Sequence, residues 1–200
     1  MTFSIRLFPV LASVALAVVL SGCAGTDFKR PEAQVLTVGK STPADIIRVM
    51  GEPRQSGESL KNDIKIKTMQ YVYAEGASTG RFPGVVPARA MVFSTYKDVL
   101  VGQQFVSSFP GDATDFDEAR IPAIVKGKTT RPEVLAAFGK PSLEYVYPMI
   151  KTEGEQAVGY SYGHAKGNAF NMKFFNQALV VSFDAKGVVS DIEFSSTGEK

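Results

Sequence analysis

The chain has 200 residues, 44% of them hydrophobic and 21% charged, with 22 basic side chains against 20 acidic. That near-neutral balance excludes a nucleic-acid binder, whose phosphate contacts require a marked basic excess. One cysteine and one histidine exclude a disulfide framework within the chain and leave few soft ligands for a transition metal.

The first segment has the layout of a secretory signal: Arg6 supplies the positive start, and Leu7 to Leu20 carries no charge and a single polar residue, Ser13. The run is shorter than the ~20 apolar residues a membrane span needs. It ends in Leu20-Ser21-Gly22-Cys23, which resembles the bacterial lipoprotein signal. That resemblance implies cleavage before Cys23, diacylation of its thiol and acylation of its new amino group. Several acyl chains give stable attachment without a spanning helix. Ala24 follows, rather than the Asp that holds such proteins at the inner membrane, so the outer membrane is expected, with the domain facing the periplasm. Cutting 22 of the 200 residues leaves 178 and removes one charge, Arg6.

Residues 23–30 read as a tether and residues 31–38 as a brief helix. Then comes Gly39-Lys40-Ser41-Thr42-Pro43-Ala44-Asp45-Ile46-Ile47-Arg48-Val49-Met50-Gly51-Glu52-Pro53. Thr42 can cap a helix with Asp45 as its capping-box partner, Pro43 suits the first turn, and Gly51 and Pro53 stop it. Gln55 to Asp63 is polar and reads as a loop, and residues 64–73 alternate as a strand. Residues 74–90 are rich in Gly, Pro and Ala without periodicity. A loop that long is uncommon inside a compact domain and is often functional. Within it Phe82, flanked by Arg81 and Pro83, is the aromatic expected to meet a partner; the alternative is that it folds back on its own sheet. Residues 89–96 and 99–107 flank Lys97-Asp98 as a hairpin, and residues 110–120 form an acidic joint.

The capped phrase returns 88 residues later as Gly127-Lys128-Thr129-Thr130-Arg131-Pro132-Glu133-Val134-Leu135-Ala136-Ala137-Phe138-Gly139-Lys140-Pro141. Caps, apolar face and stop recur in one register, which marks an internal repeat. Strands follow at 143–150, where Pro148 implies an edge or an early end, and at 158–162. A Gly/Asn loop is expected through Asn168, then a hairpin of 172–183 and 188–195. The strands align at an offset of 89, as Tyr71 with Tyr160 and Val99 with Val188. The expected fold is α+β: two tandem repeats (31–109 and 121–200), each a short helical lead-in on a three-stranded, or four-stranded, antiparallel sheet.

Three patterns imitate chemistry. Gly39-Lys40-Ser41 and Gly127-Lys128-Thr129 match the end of a P-loop, but its leading Gly is replaced by Gln34 and Pro122. Gly159-Tyr160-Ser161-Tyr162-Gly163 matches a hydrolase elbow, but no helix is expected after it, and His164 stands only three residues from Ser161. Asp112, Asp115, Asp117 and Glu118 lack the spacing of a calcium loop. No catalytic residue, metal or cofactor is therefore expected.

A lipoprotein signal, a short tether, then Gly-Lys-Thr-Thr-x-x-Glu-Val-x-x-x-Phe-Gly-x-Pro at 127–141 and a hairpin with Asp-x-x-Gly at 184–187 resemble the BamE/SmpA family of outer-membrane lipoproteins. That resemblance implies a non-catalytic accessory subunit of β-barrel assembly. Two such units depart from the family's usual single one. In tandem they resemble the β-lactamase inhibitor protein, whose joined sheets form a concave binding surface. The expected function is a non-enzymatic, membrane-anchored module binding an envelope protein; the alternative is an inhibitor or ligand-binding lipoprotein using the groove between the repeats.

Overall fold

Thr42 takes an extended backbone (φ −105°, ψ 167°), its N–H donates to Asp45 Oδ2 at 2.9 Å, and its Oγ1 accepts from the Asp45 N–H. Helix α1 (Pro43–Met50) starts there and ends at Gly51, whose φ of 78° suits a residue without a Cβ. Helix α2 (Arg131–Phe138) repeats the plan: the Thr130 N–H donates to Glu133 Oε2 at 2.7 Å, and Gly139 has φ 79°. The computed structural model describes residues 25–76, 80–168 and 170–199.

Each helix is bolted to the sheet by a matched pair of backbone bonds. Gly39 donates to the Leu100 carbonyl at 2.7 Å and Leu100 to that of Ser41 at 2.8 Å; Gly127 donates to Val189 at 2.8 Å and Val189 to Thr129 at 2.9 Å. Tyr71 and Tyr160 each donate a phenolic hydrogen to the carbonyl of the helix-stopping glycine, Gly51 and Gly139.

The strands are β1 (Gln55–Lys61), β2 (Ile64–Ala74), β3 (Val85–Val86), β4 (Ala88–Tyr96), β5 (Val99–Ser107), β6 (Leu143–Val146), β7 (Gln156–Asn168), β8 (Asn171–Phe183) and β9 (Val189–Gly198). They form one nine-stranded antiparallel sheet in the order β1-β2-β4-β5-β6-β7-β8-β9, with β3 pairing β7. This corrects the expectation of two separate helix-plus-three-strand repeats. Strand β5 pairs with β6 through Gly102–Gln104 opposite Leu143–Tyr145, so each half satisfies an edge that the other would leave open.

Several local expectations fall with it. Strand β6 is internal, and of the two outcomes expected of Pro148 it is the early end that holds: the strand stops at Val146, so the missing N–H costs no ladder bond. Residues 31–38 form no helix but a turn closed by an Ala33–Leu36 bridge. The loop expected at 55–63 is largely β1, exposed along its whole length and so without the alternation that would announce it. The expected loop after Tyr162 is still strand β7, because Gly163 makes room for Asn176: a Cβ there would stand 2.6 Å from Asn176 Oδ1.

Both helices lie over one face of this sheet. Beneath α1, Ile46 packs with Tyr71, Met91, Phe93, Leu100 and Phe105; beneath α2, Val134 packs with Val158, Tyr160, Leu179, Val181 and Val189. Complete burial of such a side chain stabilises the fold by about 1.5–3 kcal/mol. The expected tether is docked as well. Phe28 meets Tyr71 and Phe105 edge-on, Arg89 pairs with Asp27 at 3.3 Å, and Arg30 Nη2 donates to the Pro141 carbonyl at 2.8 Å. The acidic joint is equally engaged: Phe116 enters the second core, and the Thr114 hydroxyl donates to the Ser161 carbonyl at 2.7 Å.

Candidate functional site

Alternate residues of the same strands point away from the helices, and the register lines them up in rows. One row runs Thr68, Ser94, Gly102, Tyr145, Ala157, Ser182, Asp191; the next runs Gln70, Val92, Gln104, Leu143, Gly159, Val180, Glu193. Most of these side chains are short or polar, and two positions have none. The glycines are required by close packing. A Cβ on Gly102 would lie 2.8 Å from Tyr145 Cδ1, and one on Gly159 would lie 2.2 Å from the Leu179 carbonyl oxygen.

On this open face lies a hollow of about 450 Å³. Its floor is Gln104, Leu143, Ala178, Val180 and Ser182, and its wall is the segment after β6, with Met149, Ile150 and Lys151. The β1–β2 turn closes one side: Asn62 Nδ2 donates to the Pro148 and Ile150 carbonyls at 3.0 and 2.8 Å. A hydrogen-bond chain crosses the join between the halves. The Tyr145 hydroxyl donates to Gln104 Oε1 at 3.1 Å, and Gln104 Nε2 donates to Ser161 Oγ at 3.0 Å. Burial pushes the Tyr145 phenol up to about 12, so it stays a neutral donor.

Three lysines (Lys61, Lys126, Lys151) and three carboxylates (Glu155, Asp191, Glu193) line the hollow, so it carries no net sign that would select an anion or a cation. Lys126 and Lys151 both reach Asp191 at 3.5 Å, and Lys151 also bonds Glu193. The hydrogen bond and charge of Glu193 raise the Lys151 pKa. For Asp191, burial pushes the carboxyl pKa up, but the Ile192 N–H and the two lysines outweigh it and leave the net value lowered. This arrangement holds side chains ready for polar contacts; it does not poise an acid or base near neutrality.

Phe82 is half-buried and folds back on the sheet, 6.0 Å edge-on from the Tyr162 ring and 6.5 Å from His164. Arg81 lies 5.8 Å over Phe82 and pairs with Asp115 at 3.4 Å. The two residues singled out for partner contact thus close the covered face at its rim and do not line the hollow. Cys23 lies outside the described residues.

The chemical imitations resolve structurally. Ser161 is in the middle of β7, with Gln104 as donor to its hydroxyl, and His164, three residues on, projects to the other face. No turn presents the serine, which removes the elbow geometry. The Gly-Lys-Ser and Gly-Lys-Thr segments are the turns leading into the helices. In them Lys40 and Ser41 donate to the Thr37 carbonyl, and Lys128 and Thr129 to that of Val125. Of the acidic residues, Asp112 pairs with Arg89, Asp115 with Arg81, and Asp117 with Arg120. Among the described residues no group of three His, Cys, Asp or Glu side chains is placed to hold a metal, and no helix is long and apolar enough to cross a membrane.

Sequence reasoning missed the hollow, because its rows are assembled from residues as far apart in the chain as Thr68 and Asp191, or Gln70 and Glu193. The one signal available was that positions alternating with the aromatic ones are small or polar.

Neither a protein-family model nor a curated protein matches the chain. The BamE/SmpA resemblance therefore has no family match behind it. One solved structure aligns with it, a Streptococcus mutans protein provisionally named a beta-lactamase inhibitor protein, over 91% of this chain and 96% of that one, at 9% identity and a TM-score of 0.40. Agreement that loose carries nothing about activity.

Proposed function

We propose that this protein is a non-catalytic, lipid-anchored binding module of the outer membrane, presenting the open face of its sheet to an envelope protein. The observation that carries the reading is the contrast across a single sheet: one face is filled by aromatic and aliphatic side chains under two helices, while the other offers mostly short or polar side chains around a hollow. A face with that composition suits a partner's hydrogen bonds and protruding side chains. Acylation at Cys23 would hold it at the membrane, and β-barrel or envelope assembly is the process proposed.

Site-specific photo-crosslinking from Ser182 and Glu193, with Val49 on α1 as control, tests the surface in intact envelopes. Adducts from the open face and none from α1 are expected; adducts from α1 alone would sink the reading. Absence of every barrel-assembly subunit from those adducts would remove the assembly role. The second reading, a ligand-binding or inhibitory lipoprotein, is favoured by the size of the hollow, which falls within the range of small-molecule sites. Adducts that form with a soluble enzyme, or that a small ligand suppresses, would select it. Cys23→Ala should release the chain to the soluble periplasm; unchanged membrane attachment would refute the anchor.

A further inference from the structure

The hairpin of β7 and β8 outruns the rest of the sheet. Strand β9 leaves β8 at Phe175 opposite Gly198, and β3 leaves β7 at Lys166 opposite Val85. Beyond those pairs the hairpin carries Met172 (39% exposed), Phe174 (62%) and Phe170 (101%). Large apolar side chains this open, close together at one tip, are uncommon on a surface that meets only water.

The same end of the sheet holds the start of the described chain. Strand β2 ends there at Ala74 opposite Ala88, and Gly25 sits so close against β2 that a Cβ on it would lie 2.0 Å from the Val72 carbonyl oxygen. Asp27 and Phe28 then fix the chain to Arg89, through an ion pair and through a 2.8 Å hydrogen bond from Arg89 Nη1 to the Phe28 carbonyl. Gly25 is only two positions after Cys23, and two positions span at most about 7 Å. An anchor at Cys23 would therefore press this end of the sheet, and not the hollow at the other end, against the bilayer.

We infer that the β7–β8 tip, through Phe170, Met172 and Phe174, docks into the interface of the membrane to which Cys23 is anchored. This rests on the lipid-anchor part of the proposed function. Acyl chains already supply the affinity; the tip adds a second point of contact, which fixes orientation. Phe and other apolar side chains suit the headgroup/acyl boundary, and Lys166 lies beside them where anionic headgroups would lie, while Lys173 is held by Glu199. The open face then stands out from the bilayer, available to a periplasmic partner.

The chain contains no tryptophan, so Phe170→Trp is a single reporter in the full-length acylated protein. We would reconstitute it in phosphatidylethanolamine/phosphatidylglycerol vesicles with brominated acyl chains. Blue-shifted emission and loss of most of its intensity are expected, with Leu60→Trp, on exposed β1, unchanged. Water-like emission from Phe170→Trp in protein that floats with the vesicles would overturn the tip contact and leave the anchor standing. Equal quenching of both reporters would overturn it too, since the chain would then lie flat. Failure to float would refute the anchor and the docking together. Emission that stays water-like in vesicles but shifts in native envelopes would assign the tip to a protein partner and overturn the lipid assignment.

Discussion

On β4, Met91 and Phe93 are 2% and 0% exposed, while their neighbours Ala90 and Val92, facing the other way, remain half-open. On β8 the same alternation sets Leu179, Val181 and Phe183 against Ala178 and Val180. The covered face therefore holds most of the apolar core. On the open face, half-exposed positions such as Val92 and Val180 can vary at smaller cost, whereas the close-packed Gly102, Leu143 and Gly159 cannot. A binding surface needs that freedom, because a residue that must fill a core cannot also be chosen for a partner.

The strongest way to break this division is to truncate both faces. Phe93→Ala should lose about 3–5 kcal/mol in urea unfolding, and Val180→Ala less than about 1.5 kcal/mol. Comparable losses would mean that the open face is core. A test of the open face's own packing comes next. Gly159→Ala must push against the Leu179 backbone, and about 1–3 kcal/mol of destabilisation is expected, with faster amide exchange in β7 and β8.

Smaller effects compare the two halves beneath their helices. Tyr71→Phe and Tyr160→Phe each remove one hydrogen bond to a helix-stopping glycine and should cost about 1 kcal/mol apiece by thermal or chemical unfolding. A loss confined to one of them would show that the halves are not equivalent. The capping boxes add a pH dependence. The Thr42 backbone N–H chiefly lowers the Asp45 pKa below 3.8, and the Thr130 N–H does the same for Glu133, from 4.5. Folded values below the unfolded ones mean that this stabilisation is present above those unfolded values and is lost as pH falls through the depressed ones. The stability gap between wild type and Glu133→Ala should accordingly shrink between neutral pH and about pH 3; a gap that widened would contradict the cap.

The smallest change in stability is expected from Lys151→Ala. Its ion pairs are exposed and screened by solvent, so they add little to stability, yet crosslinking from Glu193 should weaken. Unchanged crosslinking would place the partner away from the hollow.

Local signals carried a long way into this fold. Both helices, with their capping residues and glycine stops, stand where Thr42, Asp45, Thr130 and Glu133 announce them, because a cap is an interaction within four residues. Strands β2, β4, β5 and β8 follow from alternation. Strand β1 was invisible, because it has no buried face to imprint a pattern. Strand β3 was hidden in an aperiodic stretch, because its two ladder pairs lie across the join, on Lys166 and Ala165. For Phe82 the sequence left both a partner contact and a return to its own sheet open; the fold places Tyr162 and His164 beneath it.

By itself, then, the sequence determined the pieces: two capped helices, the aromatic faces that they cover, and the small or polar residues that alternate with those faces. Tertiary structure decided what the pieces make. Pairing of β5 with β6 merges two halves into one sheet, because unsatisfied strand edges find each other whatever their distance along the chain. That merger aligns Gln104, Leu143, Gly159 and Val180 into one row. No stretch of sequence contains that row, and the hollow exists only because of it.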